Sequence, residues 1–272
     1  MDNRPIGVFD SGVGGLTAVR AMLRDYPSES IVYFGDTARV PYGNREKDDI
    51  VGLSLQDARF LRSKGVKALL IACNTITCNA GEELCADNPD VPVVGTVDAA
   101  AAAAAAVTKN QRIGVIATNA TIRSGAYEAA LKALLPDAAV TGQGCPKLVP
   151  LIESNHILPG DALIEEAAAE YLAPLKAAGV DVVILGCTHY PLIAQVVRNY
   201  MGEGVELIDS GAESAKAIIK TLTATGGLAQ SDAKAEVDYY CSANLPQFAA
   251  VAQVFLDQDI RAKAAEINID EY

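Results

Sequence analysis

At 272 residues, half of them hydrophobic, the chain can bury one large core or two moderate ones, and it is too apolar for a disordered protein. A formal charge of −12, a pI of about 4.6 and the lack of any Lys/Arg-rich run exclude nucleic-acid binding driven by phosphate attraction. No apolar stretch reaches membrane-spanning length and a core-like run follows residues 1–5 at once, so no membrane span or secretory leader is expected, and a cytoplasmic location is.

Ile6-Gly7-Val8-Phe9 predicts a strand that ends in Asp10-Ser11-Gly12-Val13-Gly14-Gly15. Leu16, Val19 and Leu23 share one face of a helix predicted over 16–26, with Pro27 after it. Ile31-Val32-Tyr33-Phe34 predicts a second strand, and residues 37–44 a long connection with a turn at Pro41-Tyr42-Gly43. A helix over 46–64 leads to a third strand and Cys73; a helix to about residue 87 and a short strand over 91–94 follow. Asp98 opens a run of eight alanines, 99–106, which predicts a smooth helix because alanine is the strongest helix former.

The pattern then restarts, since Ile113-Gly114-Val115-Ile116-Ala117-Thr118 mirrors Ile6-Gly7-Val8-Phe9-Asp10-Ser11. One helix is predicted over 120–135, a strand over 138–141, an irregular Pro-bounded segment over 146–153 and a helix over 161–178. Residues 179–189, Gly-Val-Asp-Val-Val-Ile-Leu-Gly-Cys-Thr-His, repeat the form of residues 65–75, Gly-Val-Lys-Ala-Leu-Leu-Ile-Ala-Cys-Asn-Thr. A helix is expected after Pro191, and Leu207-Ile208-Asp209-Ser210-Gly211 is a third, smaller echo.

Strands alternating with helices imply parallel sheets covered on both faces, and the internal repeat implies two similar α/β domains related by pseudo-symmetry. The second is expected over 96–208, inserted into a first made of 1–95 and 209–272. Ligands of such sheets bind beyond the carboxyl ends of the strands, where Asp10, Ser11, Cys73, Asn74, Thr118, Cys187 and Thr188 all fall. One cleft between the two domains gathers them.

A cysteine just past a strand, at the start of a helix, sits where the helix dipole favours a thiolate. Asn74, Thr75, Thr188 and free helix N–H groups suit a small carboxylate, and Asp10 and His189 are placed to move protons on and off the thiols. Moving a proton between the two faces of a carbon relates mirror-image molecules of equal free energy. A nearly symmetric pair of bases fits that task better than hydrolysis, where nucleophile and acid have unlike jobs.

Residues 9–17 (Phe-Asp-Ser-Gly-Val-Gly-Gly-Leu-Thr), residues 33–43 (Tyr-Phe-Gly-Asp-Thr-Ala-Arg-Val-Pro-Tyr-Gly), Ala72-Cys73-Asn74-Thr75 and residues 185–192 (Leu-Gly-Cys-Thr-His-Tyr-Pro-Leu) closely resemble the glutamate racemases, in order from about residue 6 to 211. The resemblance implies cofactor-independent interconversion of L- and D-glutamate, supplying D-glutamate for peptidoglycan. It implies Cys73 and Cys187 as the two bases, Cys73 assisted by Asp10 and Cys187 by His189, with Glu153 a weaker assistant. Carried over by motif, Asp10, Ser11, Tyr42, Gly43, Asn74, Thr75, Thr118, Thr121, Thr188 and His189 contact the substrate. The family's usual Gly-Thr is Ala117-Thr118 here, so an extra methyl narrows that approach. The expected partners are a small-molecule substrate and a second copy in a homodimer, with no nucleic acid and no membrane.

The remaining cysteines, 78, 85, 145 and 241, read as small buried hydrophobes in a reduced cytosol, and zinc is not expected with no CxxC pair and two histidines. His156 reads as surface or lining. Asp10 has the alternative of capping the next helix. A nucleotide site is excluded because Thr17 stands where GxGxxG needs its last glycine and no GK[ST] occurs. Pyridoxal phosphate is not expected, since no lysine falls at the cleft. The alternatives are a racemase for aspartate or another amino acid, and a non-catalytic binding module on the same scaffold.

Overall fold

A computed structural model describes residues 1–230 and 235–272. The strands are β1 (Ile6–Asp10), β2 (Ile31–Gly35), β3 (Ala68–Ile71), β4 (Val93–Val94), β5 (Arg112–Ala117), β6 (Ala139–Gly144), β7 (Val182–Gly186), β8 (Glu206–Asp209), β9 (Val237–Cys241) and β10 (Ala264–Glu266). The helices are α1 (Leu16–Asp25), α2 (Lys47–Ser63), α3 (Asn74–Asp87), α4 (Val97–Val107), α5 (Asn119–Ser124), α6 (Ala126–Leu134), α7 (Leu148–Glu153), α8 (Ala162–Ala177), α9 (Ala194–Met201), α10 (Ser210–Ala224) and α11 (Leu245–Leu256).

Two wholly parallel sheets result, one in the order β10-β9-β2-β1-β3-β4 and the other β6-β5-β7-β8. Each has helices on both faces, which is why its central strands are apolar at every position rather than alternating. In β3, Ala68 and Leu70 face the core beneath α1, α10 and α11, while Leu69, Ile71 and the following Cys73 face the core beneath α2 and α3. The second sheet divides likewise, with Val183, Leu185 and Cys187 on one side and Val182 and Ile184 on the other. The two cysteine runs are therefore strands β3 and β7 of two similar α/β domains, each one strand away from its sheet's opening strand, β1 or β5.

Three elements depart from expectation. The helix predicted over 120–135 is two, α5 and α6, broken at Gly125 in the left-handed region at φ 68°. The segment 146–153, expected to be irregular, ends in the short helix α7. Behind Cys187 the chain makes a turn and a 3-10 segment, Tyr190–Ile193, before α9, so only Cys73 stands at the head of an α-helix. Among the described residues no helix is long and apolar enough to cross a membrane.

Candidate active site

Parallel strands leave their carboxyl ends, and the N-termini of the following helices, at one edge of each sheet. The two edges face each other across a cavity of about 350 Å³. Of the expected site residues, Asp10, Ser11, Tyr42, Gly43, Cys73, Asn74, Thr75, Thr118, Cys187, Thr188 and His189 line it. Thr121 does not, because it is buried behind Thr118, whose hydroxyl lies 3.0 Å from its own. Among the described lining residues there is no lysine or arginine, so an anionic ligand must be met by neutral donors and His189.

The two thiols have unlike surroundings. Cys73 stands at the N-cap position of α3 without a side-chain capping bond, and its sulfur lies 3.6 Å from Ser11 Oγ. Burial, and then the charge of Asp10, push this thiol far above its ordinary range, so it holds its proton at neutral pH. Cys187 lies 3.9 Å from His189 Nδ1, and His189 Nε2 is 3.0 Å from Glu153 Oε1. Burial works to lower His189, but the hydrogen bonds and negative charges of Cys187 and Glu153 outweigh it and bring the imidazole up to about 10. A charged imidazole therefore stands beside one thiol and a carboxyl beside the other.

Asp10 is fully buried and does not cap α1; the N-cap is Gly15, with no side-chain bond. Its oxygens accept from the Gly12 N–H at 2.8 Å and from Thr188 Oγ1 at 3.2 Å. Burial pushes the carboxyl above the ordinary range, while the His189 charge and these bonds act the other way. Thr17 Oγ1 donates to the Thr188 carbonyl at 3.1 Å. The loop after β1 thus rests directly on the loop after β7. Gly14 permits this: a Cβ there would collide with Thr188 Oγ1 and fall 2.6 Å from His189 Nδ1.

Asn74 is tied on three sides. Its Nδ2 donates to Ser210 Oγ at 3.0 Å, and its Oδ1 accepts from Thr96 Oγ1 at 2.9 Å and Tyr127 OH at 2.6 Å. Its oxygen is fully used by the protein, which leaves one amide hydrogen for a ligand. Thr75 and Thr118 meet across the cavity at 3.0 Å between hydroxyl oxygens, and Thr118 also caps α5 through the Thr121 N–H at 3.2 Å.

Several residues that shape the site have no sequence signal of their own. Cys145, expected to be core filler, is indeed buried but also lines the cavity with Pro146 and Val149. Register accounts for it: Gly144 of β6 and Gly186 of β7 both pair with Ala117, so Cys145 and Cys187 leave their strands at the same level. Burial pushes the Cys145 thiol up to about 12. Cys78 is half-buried and packs against the core of the second sheet, whereas Cys85 is exposed, against the expectation for it. His156 stays outside the cavity, paired with Asp161 at 2.7 Å.

Residues 9–218 match the family described as Asp/Glu/Hydantoin racemase. The chain is 43% identical over 258 residues to the glutamate racemase of Streptococcus sanguinis, covering 94% of this chain and 96% of that one. It is 49% identical over 209 residues to that of Enterococcus faecalis, covering 77% and 76%. A crystal structure of the Francisella tularensis glutamate racemase in complex with D-glutamate superposes with a TM-score of 0.92 at 34% identity, over 100% of both chains.

Proposed function

The chain belongs to the Asp/Glu/hydantoin racemase family and interconverts L- and D-glutamate, and we propose that it does so without a cofactor, by passing the α-proton between Cys73 and Cys187. The observation that carries this reading is the pair of thiols at matching strand ends on the walls of one cavity. One sulfur, as thiolate, takes the α-proton as that C–H bond breaks. The other thiol then delivers its proton to the opposite face of the carbanion. Each turnover leaves the two sulfurs with protonation states exchanged. His189 beside Cys187 and Asp10 near Cys73 restore them, with Glu153 holding His189 in place.

In this reading Ser11, Tyr42, Gly43, Asn74, Thr75, Thr118 and Thr188 hold the substrate, and Thr121 supports Thr118 from behind. The domain division proposed is 1–95 with 209–272 against 96–208, supported by the two places where the chain passes between sheets, after β4 and after β8. The proposed setting is a cytoplasmic homodimer that supplies D-glutamate for peptidoglycan.

The test is racemisation in deuterium oxide, with the protein dialysed and no cofactor added, followed by circular dichroism and by NMR of the α-proton. Early D-product carrying deuterium, with unreacted L-substrate free of it, is expected from two separate bases. Deuterium entering both enantiomers equally early would mean a single exchanging base and would overturn the assignment of Cys73 and Cys187.

A further inference from the structure

The connection between β2 and α2, residues 37–44, supplies one wall of the cavity, and its hold on the protein lies outside the cavity. The Tyr42 ring is 1% exposed and its hydroxyl points away from the ligand space into a cluster of charged side chains. It donates to Asp36 Oδ2 and lies 3.3 Å from Asp57 Oδ2. Both carboxyls are fully buried, and Arg39 bridges them, from Nε to Asp36 at 2.6 Å and from Nη2 to Asp57 at 2.8 Å. Asp36 Oδ1 accepts from Ser242 Oγ at 2.7 Å, and Thr37 is bonded to the backbone of Ala243 in both directions.

Hydrogen counting favours one proton shared within this cluster. Tyrosine has one hydroxyl hydrogen, and it goes to Asp36. The contact between Tyr42 and Asp57 is then a hydrogen bond only if Asp57 brings the proton. Charge counting agrees, because one cation and two buried carboxylates balance only with one carboxyl neutral. Burial and the Asp36 charge both push Asp57 well above its ordinary range, in the same direction. The Tyr42 hydroxyl thus stands between the two carboxyls, and Arg39 closes the ring.

We propose that Asp36, Arg39 and Asp57 are positioning residues for the reaction, fixing the Tyr42 hydroxyl and thereby the strip 40–44 that walls the cavity opposite Thr118. The strip reaches the other domain directly, since a Cβ on Gly43 would lie 3.2 Å from Thr118 Cβ. The cluster therefore sets how well the cavity holds its substrate and leaves proton transfer between the thiols alone. This rests on the racemase reading above.

The experiment compares steady-state racemisation by the full-length wild type, Asp57→Asn, Asp57→Ala and Tyr42→Phe. Asparagine can donate to Tyr42 and accept from Arg39, so Asp57→Asn is expected to stay within about threefold of the wild-type KM. Asp57→Ala is expected to raise KM about tenfold or more with kcat within about threefold, equally for both enantiomers. A folded Asp57→Ala with wild-type KM, or an Asp57→Asn as impaired as the alanine variant, overturns the proposal. If Asp57→Ala does not fold, Tyr42→Phe decides: a raised KM supports the proposal and a wild-type KM overturns it. The ratios are taken on whichever acidic amino acid the wild type racemises. A failure of the glutamate reading then shows in the wild type, and a failure of this one in the ratios.

Discussion

His189 meets a partner at each ring nitrogen, the Cys187 sulfur at Nδ1 and Glu153 at Nε2, and their bonds and negative charge favour the imidazolium. Its affinity for the proton is raised from the ordinary value of 6.5 to about 10. A raised value means that the folded protein binds the proton more tightly than the unfolded chain does. The stability this contributes is fully present below about pH 6.5 and is lost as pH rises towards 10. Melting temperature should therefore fall more steeply between about pH 7 and 10 for the wild type than for His189→Gln; parallel curves would show that the proton is not held this way. Buried Cys73 and Cys145 also destabilise the fold at high pH, but equally in both proteins, so the difference isolates His189. At this scale the sequence disclosed the paired thiols because their contexts repeat. It gave no hint of Cys145 or Asp57, whose roles come from strand register and from neighbours distant along the chain.

Helix α5 is six residues long, and it is Gly125 that keeps it so. With φ at 68° this residue ends α5, and the same residue opens α6 in a new direction. A Cβ there would meet nothing within 4 Å, so the cost of a side chain is backbone strain alone. Gly125→Ala should lower stability by about 1 kcal/mol, read from the midpoint of urea unfolding at unchanged slope. An unaltered midpoint would mean that the junction relaxes without cost. Sequence periodicity could not find this break, because apolar spacing runs through it and a lone glycine in a helical pattern is usually tolerated. The short helix α7 was hidden for the opposite reason: Pro146 and Pro150 look like breakers, yet α7 starts only after Pro146. The cavity owes its Thr118 wall to the first of these elements and its Val149 wall to the second.

For the whole molecule the decisive residue is Asn74, which bonds both points where the chain passes between domains, Thr96 and Ser210, and also Tyr127 of the second domain. A side chain at the cavity edge thus reads the relative placement of the two sheets. Tyr127→Phe removes one bond of about 1 kcal/mol while Thr96 keeps the amide oxygen satisfied, so KM should rise about fivefold. An unchanged KM would show that Asn74 is held well enough by Thr96 and Ser210. The two-domain plan was legible in the repeated strands. The strands β9 and β10 were not, because residues 237–241 alternate rather than run apolar and 264–266 are barely buried. Their place is settled by pairing of β9 with β2 and of β10 with β9, contacts no local pattern announces.

The helices that follow the two crossings, α4 and α10, pack on one another. On α4 the buried positions are Val97, Ala100, Ala101 and Ala104, and these pack into the core of the second sheet with Ile113, Tyr127 and Ile184. Side chains this short let the helix axis lie close to the strands it covers, where bulkier ones would hold it off. A leucine at Ala101 would overfill that packing, at a cost of about 1–3 kcal/mol. The eight-alanine run is then a shim in the machinist's sense, a thin layer that sets how near helix and sheet may lie, needed at Ala100, Ala101 and Ala104 and incidental at the exposed Ala102 and Ala106.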